Sequence, residues 1–297
     1  MPGTESESAS DPTAGSAASP AQEGSAPSAA GPARPTLPAL PELRALADIP
    51  DLPTLEPVSR RPPPGGARRV WLTSTVVSVH DETPRMKVFR LRLPEPHPHV
   101  PGQHVSIRLV APDGYTAKRS YSICSAPGDG TEIEILVDRL EDGEVSVHLH
   151  DALHVGDELD VRAPMGGWFV WKGHQPALLV GGGSGIAPLV AMLRYSRLTS
   201  TAPVHLVASV RTLTDLPFRA ELEASDEVTI VLTREAPEDW PIPAGRLGDT
   251  VLKPLIRAGA TAYVCGSHGF AEHASQLLVD VGQPVEAIRV ERYGATS

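Results

Sequence analysis

Arg119-Ser120-Tyr121-Ser122, followed by Ile123-Cys124-Ser125, puts a guanidinium, a phenol ring and several small hydroxyls on one short extended segment. A strand half buried in a sheet alternates apolar and polar side chains. This one does not. The mixture suits a flat, partly apolar, phosphorylated ligand. Tyr121 offers a face to stack on, Ser122 a hydroxyl for a ring edge, and Arg119 a planar fork for phosphate oxygens, with Ser120 between them. A flavin answers that description. On its own the segment also reads as an ordinary barrel strand with one exposed arginine.

A second stretch, Leu178 to Pro188, runs as an apolar strand, a glycine-rich turn and a helix start. Without side chains at Gly182, Gly183 and Gly185, backbone amides can approach a pyrophosphate, and the helix opening at Ile186-Ala187-Pro188 aims its positive end there. Tight turns also need glycine. Arg211 closes the next strand and Arg234 the one after, at the edge where open α/β sheets take ligands. Both can grip phosphates, including the 2′-phosphate of NADP. With no acid read beside Arg211, the expectation leans to NADPH over NADH. The alternative is two solvated surface arginines.

The surrounding pattern supplies elements to hold these groups. From Arg69 the chain reads as short strands with turns between them: Val70 to Val79, Met86 to Leu93, Val105 to Val110, the flavin strand and Thr131 to Val137. A small antiparallel barrel accommodates them. The first helical segment, Val145 to Leu153, opens at Gly143 and Ser146, where free N–H groups and the helix dipole favour an anion. His148, His150 and His154 do not share one helix face, which argues against a metal site. The strand Glu158 to Val161 and the stretch Ala163 to Phe169 close the barrel.

After Gly173 fully apolar strands alternate with helices. The strands are Ala177 to Val180, Val204 to Val210, Val228 to Leu232 and Ala262 to Val264. The helices are Ile186 to Arg197, Phe218 to Ala224, Thr250 to Arg257 and Phe270 to Val281. That alternation predicts a parallel sheet covered on both faces. The fold class is therefore a β-barrel followed by an α/β domain. The organisation predicted is a disordered Pro/Ala/Ser/Gly-rich tail over 1–66, a barrel over 67–173 and a nucleotide-binding domain over 174–297. Within the tail, Leu40 to Leu46 can form a helical turn.

The chain has 297 residues, 41% hydrophobic, with a formal net charge of −10. That size allows two domains, and the charge argues against a nucleic-acid partner. Its two cysteines, Cys124 and Cys265, cannot form a disulfide framework or a four-thiolate iron–sulfur cluster. The N-terminus lacks a signal-peptide pattern, and the most apolar window, Ala177 to Leu193, is interrupted by glycines and a proline. No membrane span and a reduced, cytoplasmic setting are expected.

Arg119-Ser120-Tyr121-Ser122 resembles the R-x-Y-S flavin signature of the ferredoxin-NADP reductase family, and further segments follow in that family's order over residues 68 to 294. Gly181-Gly182-Gly183-Ser184-Gly185-Ile186-Ala187-Pro188 resembles its G-G-G-x-G-[IV]-[AT]-P turn. Pro101-Gly102-Gln103-His104 resembles its P-G-Q turn, and Gly143 with Ser146 its G-x-x-S phosphate site. Pro164 to Phe169 is similar to its P-x-G-x-F junction, Val264-Cys265-Gly266-Ser267 to its C-G motif, and Glu291 with Tyr293 to its E-x-aromatic, with Gly294 to Ser297 extending beyond.

The resemblance implies FAD as the flavin, with Val137 and Val145 among its contacts. It also implies catalytic roles for Ser122, Cys265 and Glu291. Cys265 and Gly266 would lie beside the nicotinamide, and Tyr293 would cover the flavin ring until nicotinamide displaces it. The function implied is a reductase passing hydride from NAD(P)H to FAD, and electrons onward to a separate ferredoxin, an oxygenase component or a small acceptor. The alternatives are a flavin- and nucleotide-binding regulatory module without turnover, and a partner-recruiting tail with an inert domain behind it.

Overall fold

The computed structural model describes residues 71–199 and 202–294. The tail over 1–66, with its helical turn at Leu40 to Leu46, lies outside them. Six strands and one helix come first: β1 (Trp71–Thr83), β2 (Met86–Arg92), β3 (His104–Val110), β4 (Thr116–Ser122), β5 (Glu132–Asp138), α1 (Glu144–Asp151) and β6 (Glu158–Met165). They form an antiparallel sheet in the order β4-β3-β6-β1-β2-β5. Beyond β4 the chain curls onto β5 through an Ile123–Ile135 bridge and a Cys124 N–H to Glu134 C=O bond of 2.8 Å, which closes the barrel. Inward positions alternate: Phe89 and Leu91 on β2, Val105 and Ile107 on β3, Ile133, Ile135 and Val137 on β5, all fully buried. Val145 and Leu149 of α1 join that core. At about 1.5–3 kcal/mol per fully buried aliphatic or phenyl side chain, this layer supplies much of the drive to fold.

The second sheet is parallel. It contains β7 (Ala177–Gly182), β8 (Val204–Val210), β9 (Val228–Leu232), β10 (Thr261–Ser267) and β11 (Ile288–Tyr293) in the order β11-β10-β7-β8-β9. Between and beside them run α2 (Ile186–Thr199), α3 (Arg219–Glu223), α4 (Asp249–Leu252) and α5 (His268–Asp280). Two apolar clusters cover its two faces. One of them also takes in Met86, Val88, Cys124 and Leu136 of the barrel, so the two modules share core.

Of the elements that differ from the sequence-based expectation, β6 and β10 among them, three show why. The helix expected over 250–257 ends at Leu252 and tightens into a 3-10 turn over Lys253–Leu255, where Pro254 has no N–H to continue an α-helix. β1 runs on to Thr83 because the residues after Val79 pair with β2 as a hairpin, Asp81 opposite Lys87 and Thr83 opposite Met86. β11 is a strand that the residue pattern does not predict: its charged residues obscure the alternation, and backbone pairing with β10 supplies what the pattern lacks.

The β1–β2 hairpin reaches into the α/β module. Glu82 accepts the N–H of Phe218 at 2.7 Å. Phe218 is the single non-glycine with positive φ, 57°, among the described residues. A left-handed non-glycine costs on the order of 1–3 kcal/mol, and the charge-assisted bond from the barrel helps to hold it there. Among the described residues no helix is long and apolar enough to cross a membrane.

Candidate active site

The carboxyl end of the parallel sheet gathers groups that the sequence scatters. Gly183 sits at φ 57°, and Gly185 passes so close to β10 that a Cβ there would lie 2.4 Å from the Cys265 carbonyl oxygen. Glycine is therefore required for the turn to seat against β10. The side chains of Ile186, Ala187 and Pro188 pack into the core, so they fix where α2 begins and leave only backbone to face a ligand. Pro188 sits in the first helical turn, where its missing N–H costs nothing.

Register brings Cys265 and Glu291 side by side on β10 and β11, and sets Gly266 opposite Arg292. Cys265 is 2% exposed. Burial, with Glu291 adding, pushes its thiol pKa well up, so it presents a neutral S–H. Burial also raises Glu291, and its Oε2 has no hydrogen-bond partner. A buried carboxyl with a spare oxygen and a raised pKa can hold a proton for a neighbour. Because the fold disfavours its ionised form, the stability Glu291 contributes is full below the ordinary carboxyl value of 4.5 and is lost as pH rises through its elevated folded pKa. Glu291→Gln should match the parent's melting temperature in acid and exceed it toward neutrality. A pH series of thermal melts checks this, and parallel curves would refute it.

On the barrel, Arg119 and Ser120 are exposed while Tyr121 and Ser122 are half buried. Their hydrogen bonds run within the barrel: Arg119 Nη1 to the Lys118 carbonyl at 2.8 Å, and Ser120 Oγ with Ser106 Oγ at 3.3 Å. Burial raises the Tyr121 phenol, partly offset by Arg119, so the ring stays neutral. His104, across from Ser122, is depressed by burial and stays an uncharged imidazole at neutral pH.

The anion site at α1 is built differently from the sequence-based expectation. Ser146 is 5% exposed, and its hydroxyl donates to the Gly143 carbonyl at 3.1 Å and accepts from Leu140 N–H at 3.2 Å. Those bonds commit it to the loop. Gly143 is needed for that arrangement, since a Cβ would lie 2.2 Å from Ser146 Oγ. What remains for an anion is the helix's unpaired N–H groups, with Glu144 in the same first turn, its carboxylate accepting the Tyr115 hydroxyl at 3.1 Å. Val137 and Val145 are fully buried, so only their backbone can meet a cofactor, and the Val137 carbonyl already pairs with His150 Nε2 at 2.9 Å.

Tyr293 is fixed by its hydroxyl. Its hydroxyl donates to the Gly182 carbonyl at 2.6 Å, which lays the ring against the glycine-rich turn. That turn opens on a cavity of about 320 Å³. Arg211 lines it but is not alone: Nη2 pairs with Asp215 Oδ1 at 2.7 Å, while Thr212 Oγ1 donates to Asp215 Oδ2 at 3.0 Å. Burial alone would raise Asp215, but these bonds prevail and hold its pKa below the usual value. The expectation that no acid accompanies Arg211 is thus corrected. Arg234 is exposed and only its backbone meets Arg211; Thr233 faces the cavity instead.

Three barrel residues complete the wall, Arg85, Met86 and Asp138, and two of them are charged. Asp138, raised by burial and opposed by Arg85, takes Arg85 Nη2 at 3.2 Å and Ser184 Oγ at 3.5 Å, bridging the barrel to the glycine-rich turn. Neither Arg85 nor Asp138 carries a local sequence signal, because strand pairing brings them together across 53 positions. Asp215 carries one, as an acid four residues after Arg211 on one turn.

A barrel with an aromatic-and-arginine edge strand, joined to a parallel sheet with a glycine-rich turn, defines a two-module fold of the flavin- and nucleotide-binding class. The oxidoreductase FAD-binding domain model matches residues 73–170 and the oxidoreductase NAD-binding domain model residues 179–276. The chain belongs to the ferredoxin-NADP reductase-like family. It is 33% identical over 210 residues to the glycine betaine monooxygenase reductase subunit of Chromohalobacter salexigens, covering 66% of this chain and 56% of that one. It is 32% identical over 209 residues to a flavohemoprotein of Bacillus subtilis, covering 65% and 51%. The chain thus spans about half the length of the curated relatives it matches. The crystal structure of the FAD/NAD-binding domain of nitric oxide dioxygenase from Vibrio cholerae superposes with a TM-score of 0.67 at 25% identity, covering 75% of this chain and 99% of that one.

Proposed function

We propose that this chain takes electrons from a reduced pyridine nucleotide through FAD to a separate acceptor protein, an oxygenase component or a ferredoxin. The observation that carries this reading is the pairing of Cys265 with Glu291 beside the glycine-rich turn, at the sheet edge that faces the barrel. The residues suit both cofactors. A turn with no room for a Cβ at Gly185, a carboxyl with a free buried oxygen at Glu291, and an exposed guanidinium and half-buried phenol on β4 match a pyrophosphate, a protonatable ring and a flat aromatic. FAD, when bound, accepts a hydride from the nicotinamide and releases electrons onward.

The chain's own residues bind, orient and move protons. Arg119 holds phosphate and Tyr121 offers its ring to the flavin, with Ser122 at the ring edge. Cys265 and Gly266 shape the nicotinamide's place, and Glu291 holds a proton. The reductase name of the Chromohalobacter relative supports the separate acceptor. The residue ranges 67–173 and 174–297 serve as the two working modules.

Asp215 beside Arg211 supports a preference for NADH. A carboxylate at that edge accepts hydrogen bonds from a bare ribose diol and repels a 2′-phosphate. Anaerobic titration of the FAD-loaded protein tests the whole reading: bleaching by NADH supports it, and an unaltered flavin spectrum with both nucleotides overturns it. Asp215→Asn should cut the NADH-to-NADPH ratio of kcat/KM about tenfold to a hundredfold, the value of one or two hydrogen bonds to a charged group. An unchanged ratio would return the choice to other residues.

A further inference from the structure

Arg194 of α2, two helical turns beyond the glycine-rich turn, has an unusual set of partners. Its Nη1 donates to the Cys124 carbonyl at 3.0 Å and to Glu134 Oε2 at 3.2 Å, both on the barrel. Its Nε and Nη2 grip Glu221 of α3, the closest contact being 2.7 Å. Its guanidinium lies 4.9 Å from the centroid of the Phe218 ring. Cys124 stands two residues past Ser122, where the flavin strand curls onto β5. One planar fork therefore touches the helix that starts at the nucleotide turn and the end of the strand proposed to hold the flavin.

Stability alone does not account for this. A mostly buried ion pair offers little net stabilisation over an apolar filler, and here each carboxylate keeps a second cation. Glu134 also holds Arg90 at 3.0 Å, and Glu221 also holds Arg197 at 3.1 Å. Charge balance would survive without Arg194. What would be lost is the bond between modules at Cys124, which a fixed guanidinium geometry makes and an ammonium cannot reproduce in full.

We infer that Arg194 is a positioning residue that clamps α2 onto the end of the flavin strand, and so holds the two cofactor sites at one spacing. The proposal rests on the flavin and nucleotide assignment above for its consequence, though not for the clamp itself. Hydride transfer depends steeply on donor–acceptor placement, and a displacement of about 1 Å can cost on the order of a hundredfold in rate.

The test compares the parent full-length protein with Arg194→Gln and Arg194→Lys by two readouts. The first is hydrogen–deuterium exchange of the FAD-free protein over residues 122–126, where Cys124 N–H is bonded to the Glu134 carbonyl. The clamp requires faster exchange there in Arg194→Gln, with little change in β7 or β8. The second is anaerobic stopped-flow reduction of the FAD-loaded protein by NADH. The limiting reduction rate should fall at least about tenfold in Arg194→Gln and less in Arg194→Lys, while FAD content and NADH affinity stay within about threefold.

Unchanged exchange at 122–126 overturns the clamp whatever the kinetics. Faster exchange with an unchanged limiting rate overturns its role in positioning. If the parent flavin is not reduced at all, the oxidoreductase reading and the positioning role fall together, and exchange still decides the clamp. Should Arg194→Gln fail to fold, the same criteria apply to Arg194→Lys, which keeps the charge and loses the fork.

Discussion

Arg119→Ala is expected to empty the flavin site. The guanidinium is exposed and bonded to the neighbouring Lys118 carbonyl, with no carboxylate partner among the described residues, so it is available to a phosphate. A bidentate charge-assisted pair contributes about 3 kcal/mol, which is roughly a hundredfold in dissociation constant. The variant should therefore fold with the parent's melting temperature, purify pale, and recover its yellow colour only at about a hundredfold higher FAD. Arg119→Lys should fall between the two, since an ammonium supplies the charge without the fork. Equal FAD affinity in parent and alanine variant would remove β4 from the flavin site.

Gly185→Ala should be the most damaging single methyl in the glycine-rich turn. Its new Cβ would lie 2.4 Å from the Cys265 oxygen, 2.6 Å from its carbonyl carbon and 2.7 Å from Gly266 nitrogen. All three are backbone atoms of a paired strand, so no rotamer change can relieve the clash. Overpacking of this kind costs about 3 kcal/mol, or about 10 °C in melting temperature for a body of this size. The displaced turn should also bind nucleotide poorly. Gly128 provides the control, for a Cβ there meets nothing within 4 Å and alanine should be close to neutral. Calorimetry of both variants, with NADH titration, tests the pair. Similar melting temperatures for Gly185→Ala and Gly128→Ala would mean that the turn does not seat against β10.

Much of this site is legible in the residues themselves. Val204 to Val210 and Val228 to Leu232 are strands with the expected limits, because continuous apolar runs in a two-faced parallel sheet leave little ambiguity. The glycine-rich turn and strand β4 announce themselves because their residue types conflict with ordinary packing. Strand β11 does not: Arg289, Glu291 and Arg292 look like solvent-facing residues, and only a partner strand turns Glu291 toward Cys265. Ser146 looks like a phosphate ligand because local spacing cannot reveal that its hydroxyl is already bonded to Gly143 and Leu140. Arg85, Asp138 and Arg194 are silent for a related reason. Periodicity reports how one element meets its own core, whereas Arg85 meets Asp138 across paired strands, and Asp138 and Arg194 reach elements of the other module.

The β1–β2 hairpin bears on how such two-module proteins can be recombined. Glu82 holds the strained Phe218, and Met86 lies in a core cluster that belongs mainly to the nucleotide-binding half. A chimera cut at the linear junction near Gly173 would give the incoming half a foreign hairpin tip. It would leave an unmatched methionine socket and an uncapped left-handed phenylalanine. Exchanging residues 82–86 together with the carboxyl-terminal half keeps donor and acceptor surfaces from the same parent, so the practical recombination boundary is discontinuous in sequence.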